Sequence, residues 1–308
     1  MELLFFLYTF AAPATKRAKL IINSKNNMTM KKAFLCLAAV CCLVACNHQN
    51  TPEPTQEVTF NISAFEQSAA PMGIAPKQNA TILDDVDGVA LTDLYIFDGS
   101  TQLAHQTSDQ EDFGTITLTL THGSHNLSFV CTRSTDISVA DGTMTMGSVK
   151  PTFGKLLTLN VTNNTPAQDL TLQRLTGQMI ITIQDAFPAT AKEIEFVINP
   201  RYSALDVTTL CAINGEEISQ RVSCTSKVGK TDQQFTMNLL APSLTDEYQA
   251  DVTINVYGDG GTVLYSVLVE DVRLAANTKT LLSGKLFTAP SASVSVDHTW
   301  SSDIVGTF

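Results

Sequence analysis

The chain has 308 residues, 44% of them hydrophobic and 16% charged, which is ample for a packed core and too many for most single domains, so two domains are expected. Its net charge of −11 understates the acidity of most of its length: residues 1–45 hold six of the 19 Lys and Arg and one acid, Glu2, which leaves 13 basic and 29 acidic residues, net −16, from Cys46 onward. A surface that negative excludes nucleic acid and anionic lipid headgroups as partners, and the sequence shows no local basic patch to offset it.

Residues 1–27, MELLFFLYTFAAPATKRAKLIINSKNN, fit no part of an export signal. Met28 or Met30 makes a better start, so this segment is expected to be a start-site misassignment and is set aside for the fold. Residues 28–45 read as a signal peptide. Lys31 and Lys32 form its basic region, residues 33–43 its apolar stretch, and Leu43-Val44-Ala45-Cys46 its end. An apolar run of about 13 residues is too short for a lasting transmembrane helix, which needs about 20.

The four residues LVAC are similar to the lipobox of bacterial lipoproteins, which implies cleavage before Cys46 and lipidation of that residue. Two or more acyl chains, at about 0.8 kcal/mol per buried CH₂, imply a permanent membrane anchor at Cys46. Asn47 is not the aspartate that retains some lipoproteins at the inner membrane, so the expected location is the outer membrane. Residues 46–57 carry Pro52 and Pro54 with no apolar periodicity and read as an extended tether. From Asn47 to Glu57 it could reach about 36 Å.

From Val58 the pattern has period two, the signature of strands with one face buried. Val58, Phe60, Ile62 and Ala64 alternate with polar residues, as do Ile116, Leu118 and Leu120, then Ile181 and Ile183, then Val252, Ile254 and Val256. About fifteen such runs follow one another, separated by turn dipeptides such as Asp98-Gly99, Asn214-Gly215 and Asp259-Gly260. No convincing amphipathic helix longer than about ten residues interrupts them. The expected fold is therefore all-β, two β-sandwiches in tandem at 58–167 and 168–308, with the boundary in the turn cluster Asn163-Asn164-Thr165-Pro166. A weak internal echo between LYIFDG at 94–99 and INVYGDG at 254–260 supports two units.

Seven cysteines divide simply: Cys36, Cys41 and Cys42 fall in the signal peptide and Cys46 at its end, which leaves Cys131, Cys211 and Cys224. Three cysteines without CxxC spacing indicate neither a zinc site nor a disulfide framework. Cys211 and Cys224 flank an expected hairpin and could pair; three thiols acting as small hydrophobes are the alternative.

Signatures of chemistry are scarce. The sequence has no GxSxG, HExxH, P-loop, EF-hand or Rossmann pattern, and no cofactor is implied. His122-Gly123-Ser124-His125 places two histidines around a turn with no third ligand at metal spacing. Asp84-Asp85-Val86-Asp87-Gly88 has the acid density of a calcium loop without its distal glutamate. Both read as solvated turns, and the chain is expected to be non-enzymatic.

The segment from Leu170 through Arg174, Asp185 and Pro188, with the alternating residues 194–198, resembles the start of the second domain in the fimbrillin superfamily. The lipobox and the strands VTFNIS, LYIFD and TLLSGKLF fit the same resemblance, most closely to the FimB/Mfa-type anchor subunits of type V pili. It implies two tandem transthyretin-like β-sandwiches, fimbrial subunits as partners through β-strand addition, and attachment to the membrane through the lipid on Cys46. In polymerising members of the family the first strand is removed by a protease, commonly after arginine. Between Cys46 and Thr132 this chain has no arginine and one lysine, Lys77. The resemblance therefore implies an anchor at the filament base, with a polymerising stalk or tip fimbrillin as the near alternative.

A glycan-binding surface lipoprotein is the alternative of a different class. Only 7% of the residues are aromatic, and the single tryptophan, Trp300, stands near the C-terminus in an alternating stretch, 293–300, that could be a last core strand or a donor strand.

Overall fold

Alternation becomes strand because each run lays one face on a core and leaves the other in water. The computed structural model describes residues 53–63 and 90–288, and the backbone of 303–307. Cys46, the expected signal peptide at 28–45, the leading 27 residues, Lys77, the acidic run at 84–87 and the stretch 293–300 lie outside the described residues. Among those described, no helix is long and apolar enough to cross a membrane.

The first half of the chain forms β1 (Thr55–Ser63), β2 (Asp93–Asp98), β3 (Thr101–Thr107), β4 (Thr115–Thr121) and β5 (Gly123–Thr132). It continues with β6 (Thr135–Ala140), β7 (Thr143–Ser148), β8 (Thr152–Val161), β9 (Gln168–Thr171) and the short β10 (Gln173–Arg174). The second half forms β11 (Thr176–Ile183), β12 (Glu193–Arg201), β13 (Ala204–Asp206), β14 (Cys211–Ile213) and β15 (Glu216–Ser223). Then come β16 (Gln233–Leu240), β17 (Tyr248–Tyr257), β18 (Val263–Leu274), β19 (Lys279–Gly284) and β20 (Asp303–Thr307).

Each half is a sandwich of two sheets. In the first, β4-β1-β9 faces β10-β8-β5-β2-β3; in the second, β16-β11-β19-β20 faces β15-β12-β17-β18. Val58, Phe60 and Ile62 meet Leu94, Ile96, Leu127 and Phe129 in the first core. Met179, Ile181 and Ile183 meet Ile194, Phe196, Val252 and Ile254 in the second.

The two sandwiches share one topology. With the edge strands β10 and β20 set aside, replacing β1, β2, β3, β4, β5, β8 and β9 in order by β11, β12, β15, β16, β17, β18 and β19 converts the strand order of the first pair of sheets into that of the second. Even the single parallel pairing is kept, β1 with β9 and β11 with β19. The chain crosses from one half to the other between Arg174, whose strand pairs with β8, and Thr176, whose strand pairs with β16.

This equivalence corrects the internal echo in the sequence. LYIFDG lies on β2, whose counterpart is β12, whereas INVYGDG lies on β17, whose counterpart is β5. The two segments look alike because each leads into a turn before an edge strand, β3 or β18, and not because they are repeats of one another.

Apart from β10 and β20, what breaks the shared topology is one hairpin in each half. β6 and β7 are inserted between β5 and β8, and β13 and β14 between β12 and β15. The two hairpins pair through β7 and β13 to form a fifth sheet, β14-β13-β7-β6, built from both halves. A third core lies under it: Met144, Met146, Leu205, Val207 and Leu210 pack with Tyr95, Phe97 and Val130. β2 is thus buried on both faces, Leu94 and Ile96 inward and Tyr95 and Phe97 outward, which is why LYIF reads as a continuous apolar run and not an alternation.

Asn214-Gly215 is not the hairpin turn that the dipeptide suggests. β14 pairs with β13 and β15 with β12, so these residues carry the chain from the shared sheet into the second sandwich. Asn214 takes φ 57° there, and a Cβ on Gly215 would stand 2.7 Å from the Tyr202 ring.

Candidate functional site

The first strand and the edges around it are the elements on which the expected strand addition would act. β1 runs between β4 and β9, antiparallel to the first from Thr55↔Thr121 to Asn61↔Thr115 and parallel to the second from Phe60↔Gln168 to Ser63↔Thr171. Val58, Phe60 and Ile62 are at most 1% exposed, and Phe60 packs its ring 5.3 Å from that of Phe129. Burying three such side chains contributes about 6 kcal/mol before ordering costs. On the solvent face, Thr59 and Thr117 share a 2.9 Å hydroxyl contact and the Asn61 amide donates to Asp169 at 2.8 Å. The strand nearest to Cys46 in sequence is therefore a central strand of its sheet.

The second sandwich has one addition to the same plan. β20 pairs in parallel with β19, from Lys279↔Asp303 to Ser283↔Thr307, at the position that lies beyond β9 in the first sandwich. Asp185, two residues past the end of β11, holds the chain where it leaves β19 toward that strand. Its carboxylate accepts the N–H of Leu286, Phe287 and Thr288 at 2.7 to 3.1 Å and the Thr288 hydroxyl at 3.1 Å. Burial acts to raise the carboxyl pKa, but these four donors outweigh it and hold the group below the usual aspartate value.

His125 and His122 separate in role. His125 pairs through Nδ1 with Asp98 at 2.6 Å and through Nε2 with the Thr121 carbonyl at 2.9 Å. Burial pulls its pKa down, and the bonds to Asp98 and Thr121 together with the Asp98 charge more than reverse this. His122 Nε2 is buried without a protein partner. Among the described residues, no three His, Cys, Asp or Glu come together as a metal-holding group.

Cys131, Cys211 and Cys224 are free thiols. Cys211 lies on β14 of the shared sheet, while Cys224 is buried in the second core at the end of β15. The pair that could have closed a hairpin does not flank one. Burial pushes the thiols of Cys131 and Cys224 above their ordinary pKa, away from the thiolate that reactive chemistry needs.

The exposed face of the second sandwich carries a cross-strand cluster that spacing could not reveal. Arg221 on β15 lies 3.9 Å over the Tyr257 ring and 3.2 Å from Glu195, which also accepts the Tyr257 hydroxyl at 2.6 Å. That hydroxyl is the main cause of the lowered Glu195 pKa. All three groups are satisfied by one another, so the cluster stabilises the sheet and leaves no free nucleophile or base.

No protein-family model matches the sequence, and no curated protein does so. Solved structures are similar in shape. A candidate adhesin from Bacteroides ovatus has 8% identity and a TM-score of 0.48, with 70% of this chain and 83% of that one covered. The fimbrial anchor protein Mfa2 from Porphyromonas gingivalis has 8% identity and a TM-score of 0.45, with 70% and 82% covered. A candidate adhesin from Bacteroides thetaiotaomicron has 9% identity and a TM-score of 0.43, with 70% and 81% covered.

Proposed function

We propose that the chain is a non-enzymatic lipoprotein subunit of a fimbrium that holds the base of the filament at the outer membrane, tethered through lipid on Cys46 and joined to the next subunit by β-strand addition. The position of β1 carries this reading. It begins nine residues after Cys46 and supplies Val58, Phe60 and Ile62 to the first core, and no arginine stands between Cys46 and Arg133. A subunit that keeps this strand keeps its lipid with it, and a lipidated subunit belongs at the base of a filament. Proteolytic loss of β1 would instead open an apolar groove between β4 and β9 and free the subunit to polymerise, as in the stalk or tip alternative. Lys77, between β1 and β2, is the one basic site at which such a cut could fall.

Mass spectrometry of the N-terminal peptide of the protein from its native membrane separates the two readings. An acylated Cys46 followed by the β1 sequence is the expected result. A mature terminus in the 71–79 loop would overturn the anchor reading in favour of a polymerising subunit.

A further inference from the structure

A pocket of about 520 Å³ opens where β7, the bend between β12 and β13, β15 and β16 meet. Its size falls within the range of small-molecule sites. From Cys46 onward acids outnumber bases by more than two to one, yet Arg201 and Lys150 line this pocket and no acidic side chain does.

Arg201, the last residue of β12, is half-buried. Its Nη2 reaches the Gln220 amide oxygen at 3.4 Å, and among the described residues no carboxylate comes within ion-pair distance of it. Burial pulls the guanidinium below its ordinary pKa, and the neighbouring Tyr248 hydroxyl offsets only part of that effect. A guanidinium has five N–H donors in a planar fork, and one long bond to a neutral amide leaves most of them for something else. A second observation points to the same space: the amide oxygen of Asn238, which lines the pocket from β16, is buried and has no donor.

We propose that this pocket binds an acidic saccharide, with the sugar carboxylate paired to Arg201 and a ring hydroxyl donating to Asn238. The remaining wall suits a polyol with apolar C–H faces, since Ser203 and Ser219 stand among Met237, Ile218 and the Tyr202 ring. Tyr202 is braced edge-on by Tyr248, with ring centroids 5.7 Å apart, so its position is fixed before a ligand arrives. The polar groups come as separate side chains from four elements, which fits hydroxyls distributed around a ring better than the regular backbone groups of an extended peptide. The site is independent of the anchoring role, because a stalk subunit would carry it equally.

The test is calorimetric titration of the full mature chain with digalacturonic acid and, in parallel, neutral digalactose. The acidic sugar is expected to bind at least about tenfold more tightly than the neutral one, and Arg201→Gln to lose about tenfold in affinity. Arg201→Lys should retain part of that affinity. Ser219→Trp, an exposed change on β15 that closes the mouth without touching a core, should abolish binding in a chain whose circular dichroism is unchanged. Equal affinity for both sugars, or binding indifferent to both Arg201→Gln and Ser219→Trp, overturns the proposal. So does an acetylated tripeptide with a free C-terminal carboxylate that binds through Arg201 more tightly than the sugar, which would assign the pocket to peptide termini.

Discussion

Asp185 accepts four hydrogen bonds from three consecutive residues, 286–288, and so replaces a missing strand partner with a single side chain. Removing it leaves three backbone N–H groups short of an acceptor, so Asp185→Ala is expected to destabilise the protein by about 3 kcal/mol. Because the folded pKa lies below the unfolded one, this contribution is present above about pH 4 and is lost as pH falls through the folded value. Thermal unfolding should therefore separate wild type from variant at pH 7 and bring them together in acid. His125 has the opposite sign. Its folded pKa is raised, so the contribution of the pair with Asp98 is full below about pH 6.5 and is lost as pH rises through the folded value. Melting of wild type and His125→Gln between pH 5.5 and 8.5 should show the gap closing toward the alkaline end; a constant gap would mean that the pair acts through shape and not charge. Neither role was legible in the sequence. The HGSH run and the QDAFP segment both stand out there, but their partners, Asp98 and residues 286–288, come from distant strands.

At the scale of elements, strand existence was legible wherever one face is buried, as in β1, β11, β12 and β17, since the alternation itself records burial. Pairing was not. Turn dipeptides suggested hairpins, and Asp98-Gly99 does close one, with β2 and β3 meeting at Asp98↔Thr101. Asn214-Gly215 has the same chemistry and joins two sheets, because a positive φ serves any sharp change of direction. The inserted hairpins β6–β7 and β13–β14 make the firmest statement at this level. β13 is only three residues long, and its stability comes from pairing with β7 and from the buried Leu205. Leu205→Ala is expected to cost about 2–5 kcal/mol and to loosen the third core while leaving the other two intact. Calorimetry should then resolve two transitions where wild type gives one. A single transition merely shifted to lower temperature would mean that the shared sheet does not couple the halves.

For the whole molecule, two sandwiches of one topology differ in the strand at the position after β9 and β19: β20 fills it in the second, and no described strand fills it in the first. The first sandwich depends on β1, the first described strand, and the second ends on β20, the last described strand, so both lie within sheets and not apart from them. The N-terminal mass measurement belongs at this scale, because it reports whether the mature protein keeps β1. The net charge of −16 from Cys46 onward disfavours contact with anionic headgroups, so in the proposed reading membrane attachment would fall to the lipid on Cys46.

The sequence by itself determined the all-β class and the faces of the strands, because each is written in local periodicity and composition, but it set the start of the first strand at Val58 and left Thr55–Glu57, which pair with β4, in a tether. It also carried the resemblance through which a role was proposed. Only the tertiary structure decided which strands are neighbours, that the two halves repeat one topology while their most similar segments are not equivalent, and that two insertions join them. It alone brought Arg201 and Asn238 to one pocket, 37 residues apart in the chain. Contacts of that kind depend on how distant edges meet, and neither alternation nor composition records a meeting.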